Sequence, residues 1–123
     1  MPYTSRFNEE INAIETVYSG TLTINDLHEN LKKTMDLSHK HRVTRFLADC
    51  TGMSPGGSVL NIYEFAKQLE NIPEVYRLKE AIILPVLPDS AKDLTFFETT
   101  ARNRGLNVRI FGNREDAITW LSK

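Results

Sequence analysis

The chain has 123 residues, of which 41% are hydrophobic and 25% are charged. This size and composition predict one domain over residues 1–123, with a core that needs no disulfide or metal. Fifteen Lys and Arg residues against sixteen Asp and Glu residues give a net charge of −1, so a nucleic-acid partner is not expected. No apolar run is long enough for a membrane span, and the single cysteine favours a cytoplasmic location.

Two alternating segments at the N-terminus predict a β-hairpin, with strands at Tyr3–Phe7 and Ile11–Ser19. Thr23 and Asp26 form a capping-box pattern, which predicts that a helix begins there. Its apolar stripe consists of Ile24, Leu27, Leu31 and Met35, and its predicted solvent face of Glu29, Asn30, Lys32 and Lys33. The polar run at 38–42 is predicted to be a connection between this helix and the next strand.

The remaining chain alternates between apolar runs and helical periodicities. Buried strands are predicted at Val43–Cys50, Ala81–Leu84 and Val108–Phe111. Helices are predicted from about Ser58 to Asn71, from Asp89 or Ser90 to a Gly105 C-terminus, and after an Asn113 N-cap. The inner stripe of the second of these helices is Leu94, Phe97 and Ala101, with Phe96 on the opposite side.

The predicted order is therefore β-β-α-β-α-β-α-β-α. Strands that alternate with helices predict an α/β domain with a mixed, mainly parallel sheet, to which the N-terminal hairpin adds an antiparallel pair. Ligands of such sheets usually bind beyond the carboxyl ends of the parallel strands. We therefore expect a site where the segment after Val43–Cys50 meets the segments that follow the next two strands.

The loop after Cys50 is the first candidate for a partner or anion site. Its candidate residues are Asp49, Thr51, Ser54, Gly56, Gly57 and Ser58. Backbone N–H groups of a glycine-rich loop and the start of a helix favour an anion, but a tight strand-to-helix turn explains the same residues. Asp49 is a candidate base or metal ligand, or it accepts hydrogen bonds from the loop backbone.

Cys50 and the histidines offer weaker signals for chemistry. A lone cysteine is either a reactive thiol or a small buried residue, and no CxxC motif accompanies this one. His39 and His41 form an H-x-H pair, but Lys40 and Arg42 beside them would repel a cation. No metal, no cofactor and no catalytic constellation is therefore predicted, and we expect a protein that is not an enzyme.

Surplus apolar residues on the helices are the second candidate for a site. Leu60, Tyr63 and Phe96 exceed what one core-facing stripe needs. They are candidates for a homodimer interface or for an apolar ligand pocket between helices, and a broad core face is the remaining explanation.

Several segments together resemble the SpoIIAA-like proteins of the STAS/SEC14-like superfamily. They are the hairpin, the helix entry Gly20-Thr21-Leu22-Thr23, the FLAD strand with its Gly/Ser loop, and the C-terminal stretch Asn103–Leu121. The resemblance covers nearly the whole chain. It implies a mixed sheet and, in anti-sigma-factor antagonists of this fold, a phosphorylated serine at the start of the helix after the third strand.

Ser58 stands at the comparable position and is the candidate phosphosite, although the D-S-S-G motif of those antagonists is absent. The resemblance thus implies a non-enzymatic regulatory or protein-binding module with an unknown protein partner. The SEC14-like relatives imply the alternative, a carrier or sensor of a small apolar or lipid-like ligand.

Overall fold

The computed structural model describes residues 3–54, 65–85 and 88–123, with the backbone alone at 88–90 and at position 93. The strands are β1 (Tyr3–Asn8), β2 (Ala13–Gly20), β3 (Arg45–Met53), β4 (Lys79–Ile83) and β5 (Asn107–Phe111). The helices are α1 (Ile24–His41), α2 (65–69), α3 (Pro88–Asn103) and α4 (Arg114–Leu121), and a 3-10 turn spans Val75–Arg77.

One five-stranded sheet organises these elements, in the spatial order β1-β2-β3-β4-β5. β1 and β2 are antiparallel, and the pairs β2–β3, β3–β4 and β4–β5 are parallel. The predicted mixed, mainly parallel sheet with an N-terminal hairpin is thus confirmed. Because the parallel strands follow one another in chain order, each connection carries a helix or turn back across the sheet.

The two faces of the sheet carry separate cores. On one face, α4 packs Ala117 and Leu121 against Leu47, Ala81 and Ile83. On the other face, α2 and α3 contribute Ala66, Phe97 and Ala101 to a cluster on Ala48, Cys50, Ile82 and Val108. Helix α1 reaches that second face through side-chain contacts with β1 and β2. Among the described elements, three helices therefore cover the second face and one helix covers the first.

Helix α1 begins as predicted and ends later than predicted. The Thr23 hydroxyl accepts from the Asp26 N–H at 3.1 Å, and the Asp26 carboxylate accepts from the Thr23 N–H at 2.9 Å, so both halves of the capping box are present. The predicted connection at 38–42 is wrong, because the helix continues to His41. Arg42 then stops it in the left-handed region at φ 54°, and the Ser38 hydroxyl donates to the Val43 carbonyl at 2.5 Å.

The face that α1 turns to the sheet is polar, contrary to the prediction that Asn30 is solvated. Asn30 is 3% exposed, and Thr34 and Ser38, four and eight residues later, are also buried. The predicted stripe of Ile24, Leu27, Leu31 and Met35 is only half-buried. The reason is that Ser5 and Tyr18 on the hairpin supply hydrogen-bond partners for Asn30, which hydrophobic periodicity does not register.

Strand β3 begins two residues later and ends three residues later than predicted, and β4 begins two residues earlier and ends one residue earlier. β3 continues to Met53 because β2 pairs with it up to the Gly20–Met53 position. β4 begins at Lys79, two residues earlier than predicted, because Lys79 and Glu80 pair with Arg45 and Phe46 of β3. Glu80 is consequently a strand residue of the second face.

The C-terminal helices follow their predicted signals closely. Gly105 lies just beyond α3 with φ +85°, and the Leu106 N–H donates to the Ala101 carbonyl at 3.1 Å, which closes that helix. Asn113 caps α4 by accepting from the Asp116 N–H at 2.8 Å. Both predicted caps are confirmed.

Replacing Thr23 with alanine is expected to lower the free energy of unfolding by about 1 kcal/mol, because the Asp26 N–H loses its side-chain acceptor. Thr23→Ser keeps the hydroxyl and should stay close to wild type, as should Thr21→Ala at an exposed position outside the helix. Urea unfolding followed by circular dichroism measures the three variants. Equal losses for Thr23→Ala and Thr21→Ala would contradict the capping role.

Candidate functional site

A cavity of about 190 Å³ lies between the second face of the sheet and helices α1, α2 and α3. Its sheet wall includes Thr16, Tyr18, Ala48, Cys50, Glu80, Ile82 and Val108. Its helical wall includes Leu27, Asn30, Leu31, Thr34, Met35, Phe65, Leu69, Leu94 and Phe97. The lining is mostly apolar, as in small-molecule pockets, where a few polar groups fix the orientation of a ligand.

The register of the sheet places Glu80 in an otherwise apolar row. Glu80 pairs with Phe46 on one side and Val108 on the other, and Phe46 in turn pairs with Ile14. Residues paired across a sheet point to the same face, so the carboxyl projects among hydrocarbon side chains. Glu80 is half-buried, and its carboxyl is surrounded by protein atoms in the wall of the cavity that it lines.

The Glu80 carboxyl receives no hydrogen bond and no ion pair from residues 3–54, 65–85 and 88–123. Removal from water penalises the charged form of a carboxyl, and here no neighbouring donor offsets that penalty. Burial accordingly raises the pKa of Glu80 from 4.5 to about 7. Strongly raised carboxyl pKa values inside a cavity are a recognised mark of functional sites.

Several other polar side chains of the β2 and α1 wall are hydrogen-bonded within the protein. Asn30 donates from Nδ2 to the Tyr18 hydroxyl at 2.7 Å, and its Oδ1 accepts from the Ser5 hydroxyl at 2.6 Å. Ser5 also shares a 2.7 Å hydrogen bond with Thr16, and the Thr34 hydroxyl donates to the Leu31 carbonyl. Glu80 differs from this network in having no partner of its own.

Tyr18 and Cys50 also line the cavity and can titrate. Burial raises the pKa of the Tyr18 hydroxyl, and the charge of Glu80 raises it further. Burial likewise raises the pKa of the Cys50 thiol, whose residue is 2% exposed. Both groups therefore keep their protons at neutral pH, and the Cys50 thiol is a core group there rather than a thiolate.

The segment Asp49–Ser58 is the first predicted site, and the structure places Asp49 and Thr51 within strand β3. The Asp49 carboxylate accepts from the Thr51 N–H at 3.0 Å and from the Thr51 hydroxyl at 2.7 Å. The Ser54 N–H donates to the Gly20 carbonyl at 2.8 Å, which fastens the strand end to β2. Asp49 thus accepts hydrogen bonds from a residue of its own strand, while Gly56, Gly57 and Ser58 lie outside the described residues.

Phe96, the one predicted apolar candidate among the described residues, does not line the cavity. Leu60 and Tyr63 lie outside the described residues. Phe96 is half-buried and lines a separate depression on α3 with Thr99, Thr100, Asn103 and Arg104, away from the main cavity. Phe97, its neighbour in sequence, is the α3 aromatic residue that reaches the cavity, where its ring lies 6.1 Å from that of Phe65.

The described residues show neither a metal-binding group nor a membrane-spanning helix. Within the described ranges, His, Cys, Asp and Glu side chains form no group of three or more that could hold a metal ion. Among the described helices, none combines the length and the apolar composition needed to cross a bilayer.

The fold was compared with known proteins. No protein-family model and no curated protein matches the chain. One matching solved structure is the crystal structure of an uncharacterized protein from the DUF3478 family with a SpoIIAA-like fold, from Shewanella loihica PV-4. It is 20% identical, has a TM-score of 0.59, and matches over 97% of this chain and 91% of that chain. Together with the sheet order and helix placement, this likeness shows that the chain has a SpoIIAA-like fold.

Proposed function

We propose that this protein is a non-enzymatic binding module that holds a small, mainly apolar ligand in the cavity between the sheet and helices α1, α2 and α3. The observation that carries the proposal is the cavity itself, about 190 Å³ of mostly apolar space with one unpartnered carboxyl in its wall. A concave, mostly apolar pocket with a few polar groups is typical of small-molecule sites.

The cavity volume sets the size of the ligand. An engineered cavity of roughly 150 Å³ binds one benzene molecule, so this one accommodates a single ring with a short substituent. A long-chain lipid exceeds that volume. The proposal therefore narrows the predicted class of apolar or lipid-like ligands to compact ones.

The chemistry of the lining favours binding over catalysis. The titratable groups of the described lining are Tyr18, Cys50 and Glu80, and burial keeps the first two protonated. An activated nucleophile needs an adjacent base and a third group that orients it. The Tyr18 hydroxyl accepts from the Asn30 amide, which is not a base, so this arrangement supports the non-enzymatic proposal.

Binding can be measured by NMR titration of methyl groups with ethylbenzene, phenethyl alcohol, phenethylamine and phenylpropionate. At least one probe is expected to give saturable shifts in cavity-lining methyl groups. Ala48→Ile adds volume to the cavity wall at a strand position that accepts branched residues, and should weaken binding about tenfold or more. Val17→Ile adds one methylene group at an exposed β2 position and should leave binding unchanged.

Two results would contradict the ligand proposal. One is the absence of saturable shifts with every probe. The other is equal affinity for wild type and Ala48→Ile, since a ligand held elsewhere is insensitive to the cavity wall.

A regulatory role through a protein partner, with Ser58 as a switch, stays a prediction, and so does homodimer formation. The SpoIIAA-like fold supports the former. Capture experiments with Ser58→Asp and Ser58→Ala test the switch, because a phosphate-like charge should change the set of bound partners. Identical partner sets for both variants would exclude it.

A further inference from the structure

We infer that the ligand of this cavity is a small apolar amine whose ammonium group pairs with the Glu80 carboxylate. The inference rests on the proposed function and adds the chemical class of the ligand. Its basis is the placement of one acidic group, without a partner among the described residues, in the wall of a cavity of about 190 Å³ whose described lining is mostly hydrocarbon.

The sign of the charge in the wall selects the charge of the ligand. No Lys or Arg side chain belongs to the described lining, and Glu80 is the acidic residue in it. A ligand carboxylate would therefore meet a like charge in a medium of low dielectric constant, which is strongly unfavourable. An ammonium group supplies both the missing countercharge and hydrogen-bond donors for the carboxylate oxygens.

The position of Glu80 also orients the ligand. Glu80 shares its row with Ile14, and Tyr18 lies four residues farther along β2, so the two polar groups attach to the backbone roughly 13 Å apart along the strand direction. Ala48, Ile82 and Phe97 line the cavity as well. A ligand anchored at Glu80 therefore extends its hydrocarbon part over this apolar surface.

The amine must bind the ionised form of Glu80, so its affinity depends on pH. The other titratable groups that line the cavity are Tyr18 on β2 and Cys50 on β3, and burial keeps both protonated through neutral pH. The described lining residues of α1, α2, α3 and β5 do not titrate. His28 of α1 lies beside the lining residue Phe65, with its ring 5.8 Å from that of Phe65.

Isothermal titration with phenethylamine, phenethyl alcohol and phenylpropionate tests the inference. At pH 8, phenethylamine should bind the wild-type protein about tenfold to a hundredfold more tightly than the alcohol, the range expected for a charge-assisted hydrogen bond. Glu80→Gln and Glu80→Met should remove this preference while leaving the affinity for the alcohol within about threefold. Amine affinity should fall between pH 8 and pH 5 in wild type and in His28→Gln, but not in Glu80→Gln.

The outcomes distinguish failure of the amine inference from failure of the proposed ligand-binding function. If the alcohol binds and the amine binds no more tightly, or if the amine preference survives in Glu80→Gln, the amine inference is wrong and the ligand cavity stands. Tighter binding of phenylpropionate than of phenethylamine also overturns the inference. If no probe binds wild type at either pH, the proposed function itself fails.

Discussion

Replacing Glu80 with glutamine is expected to stabilise the unliganded protein by about 3 kcal/mol at pH 9 and to change it little at pH 4. The wild-type carboxyl must ionise at high pH in a wall of hydrocarbon, where no described residue provides a donor or a countercharge. A pKa that rises from 4.5 to about 7 corresponds to about 3 kcal/mol between the neutral and ionised forms. Glutamine has nearly the same shape and stays neutral.

The pH dependence has a defined sign. Between pH 4.5 and about 7 the folded protein binds a proton at Glu80 that the unfolded chain has released, so stability falls as the pH rises. The penalty is complete above about pH 7, where both states are ionised, and is absent well below pH 4.5. Wild type should therefore lose stability through this window relative to Glu80→Gln.

Urea unfolding at intervals from pH 4 to pH 9 measures this difference. Glu9→Gln is the matched control, because it makes the same chemical change at an exposed residue of the hairpin turn and should run parallel to wild type. A Glu80→Gln curve that also runs parallel to wild type would show that the Glu80 carboxyl is solvated or paired.

The stability that the protein loses by burying Glu80 supports a functional role for this residue. If this side chain only filled space in the core, leucine or methionine would give a more stable protein. The reason is that buried charges are often less favourable than apolar residues of similar volume. A stability penalty at a cavity wall is typical of functional positions, where local demands of binding conflict with those of folding. The same carboxyl that destabilises the empty protein is available to a ligand that brings the countercharge.

The sequence predicted the order of elements because each carries a local signal. Thr23 and Asn113 are helix start signals and Gly105 is a helix stop signal; each operates within a few residues, and the structure uses all three. The mainly parallel character of the sheet follows from the alternation of strands and helices. Local chemistry was therefore enough for the architecture, apart from the ends of several elements.

The cavity could not be predicted in the same way. Glu80 precedes the apolar run at 81–84 and resembles a solvated strand end, until its pairing with Phe46 and Val108 places it inside. Asn30 resembles a solvated helix residue for a similar reason, since its partners Ser5 and Tyr18 lie 25 and 12 residues away. Polar burial depends on contacts between distant segments, which periodicity does not encode. The i, i+4, i+8 spacing of Asn30, Thr34 and Ser38 was the available signal.

A buried ion pair on the opposite face joins the hairpin to the last helix. Arg114, at the start of α4, donates from Nη1 and Nη2 of its guanidinium group to the carboxylate of Glu15 in β2, at 2.8 and 3.0 Å. The Asn8 amide donates to the same carboxylate at 2.8 Å. The Glu15 side chain is 7% exposed, whereas that of Arg114 is 44% exposed. The cluster therefore connects β1, β2 and α4 through one enclosed carboxylate.

Arg114→Met is expected to destabilise the protein by about 2 kcal/mol at pH 7, because it leaves the Glu15 charge buried with Asn8 and a distant arginine as its remaining partners. This expected loss of stability is smaller than the usual loss for breaking a buried ion pair, because solvent screens the exposed part of the Arg114 side chain. Glu15→Gln removes the buried charge together with the need for its partner and should cost about 1 kcal/mol, the scale of one neutral hydrogen bond.

Arg6→Met is the control for the loss of an arginine beside the same carboxylate. Its guanidinium lies 3.8 Å from Glu15 and its side chain is 68% exposed, so the variant should change stability by less than about 0.5 kcal/mol.

The Arg114 hydrogen bonds hold the pKa of Glu15 below its ordinary value of 4.5. The stabilisation is therefore present above pH 4.5 and is lost as the pH falls below that value through the folded pKa. The gap between wild type and Arg114→Met should close in that acid range, and a gap that stayed constant would assign the effect of Arg114 to its packing.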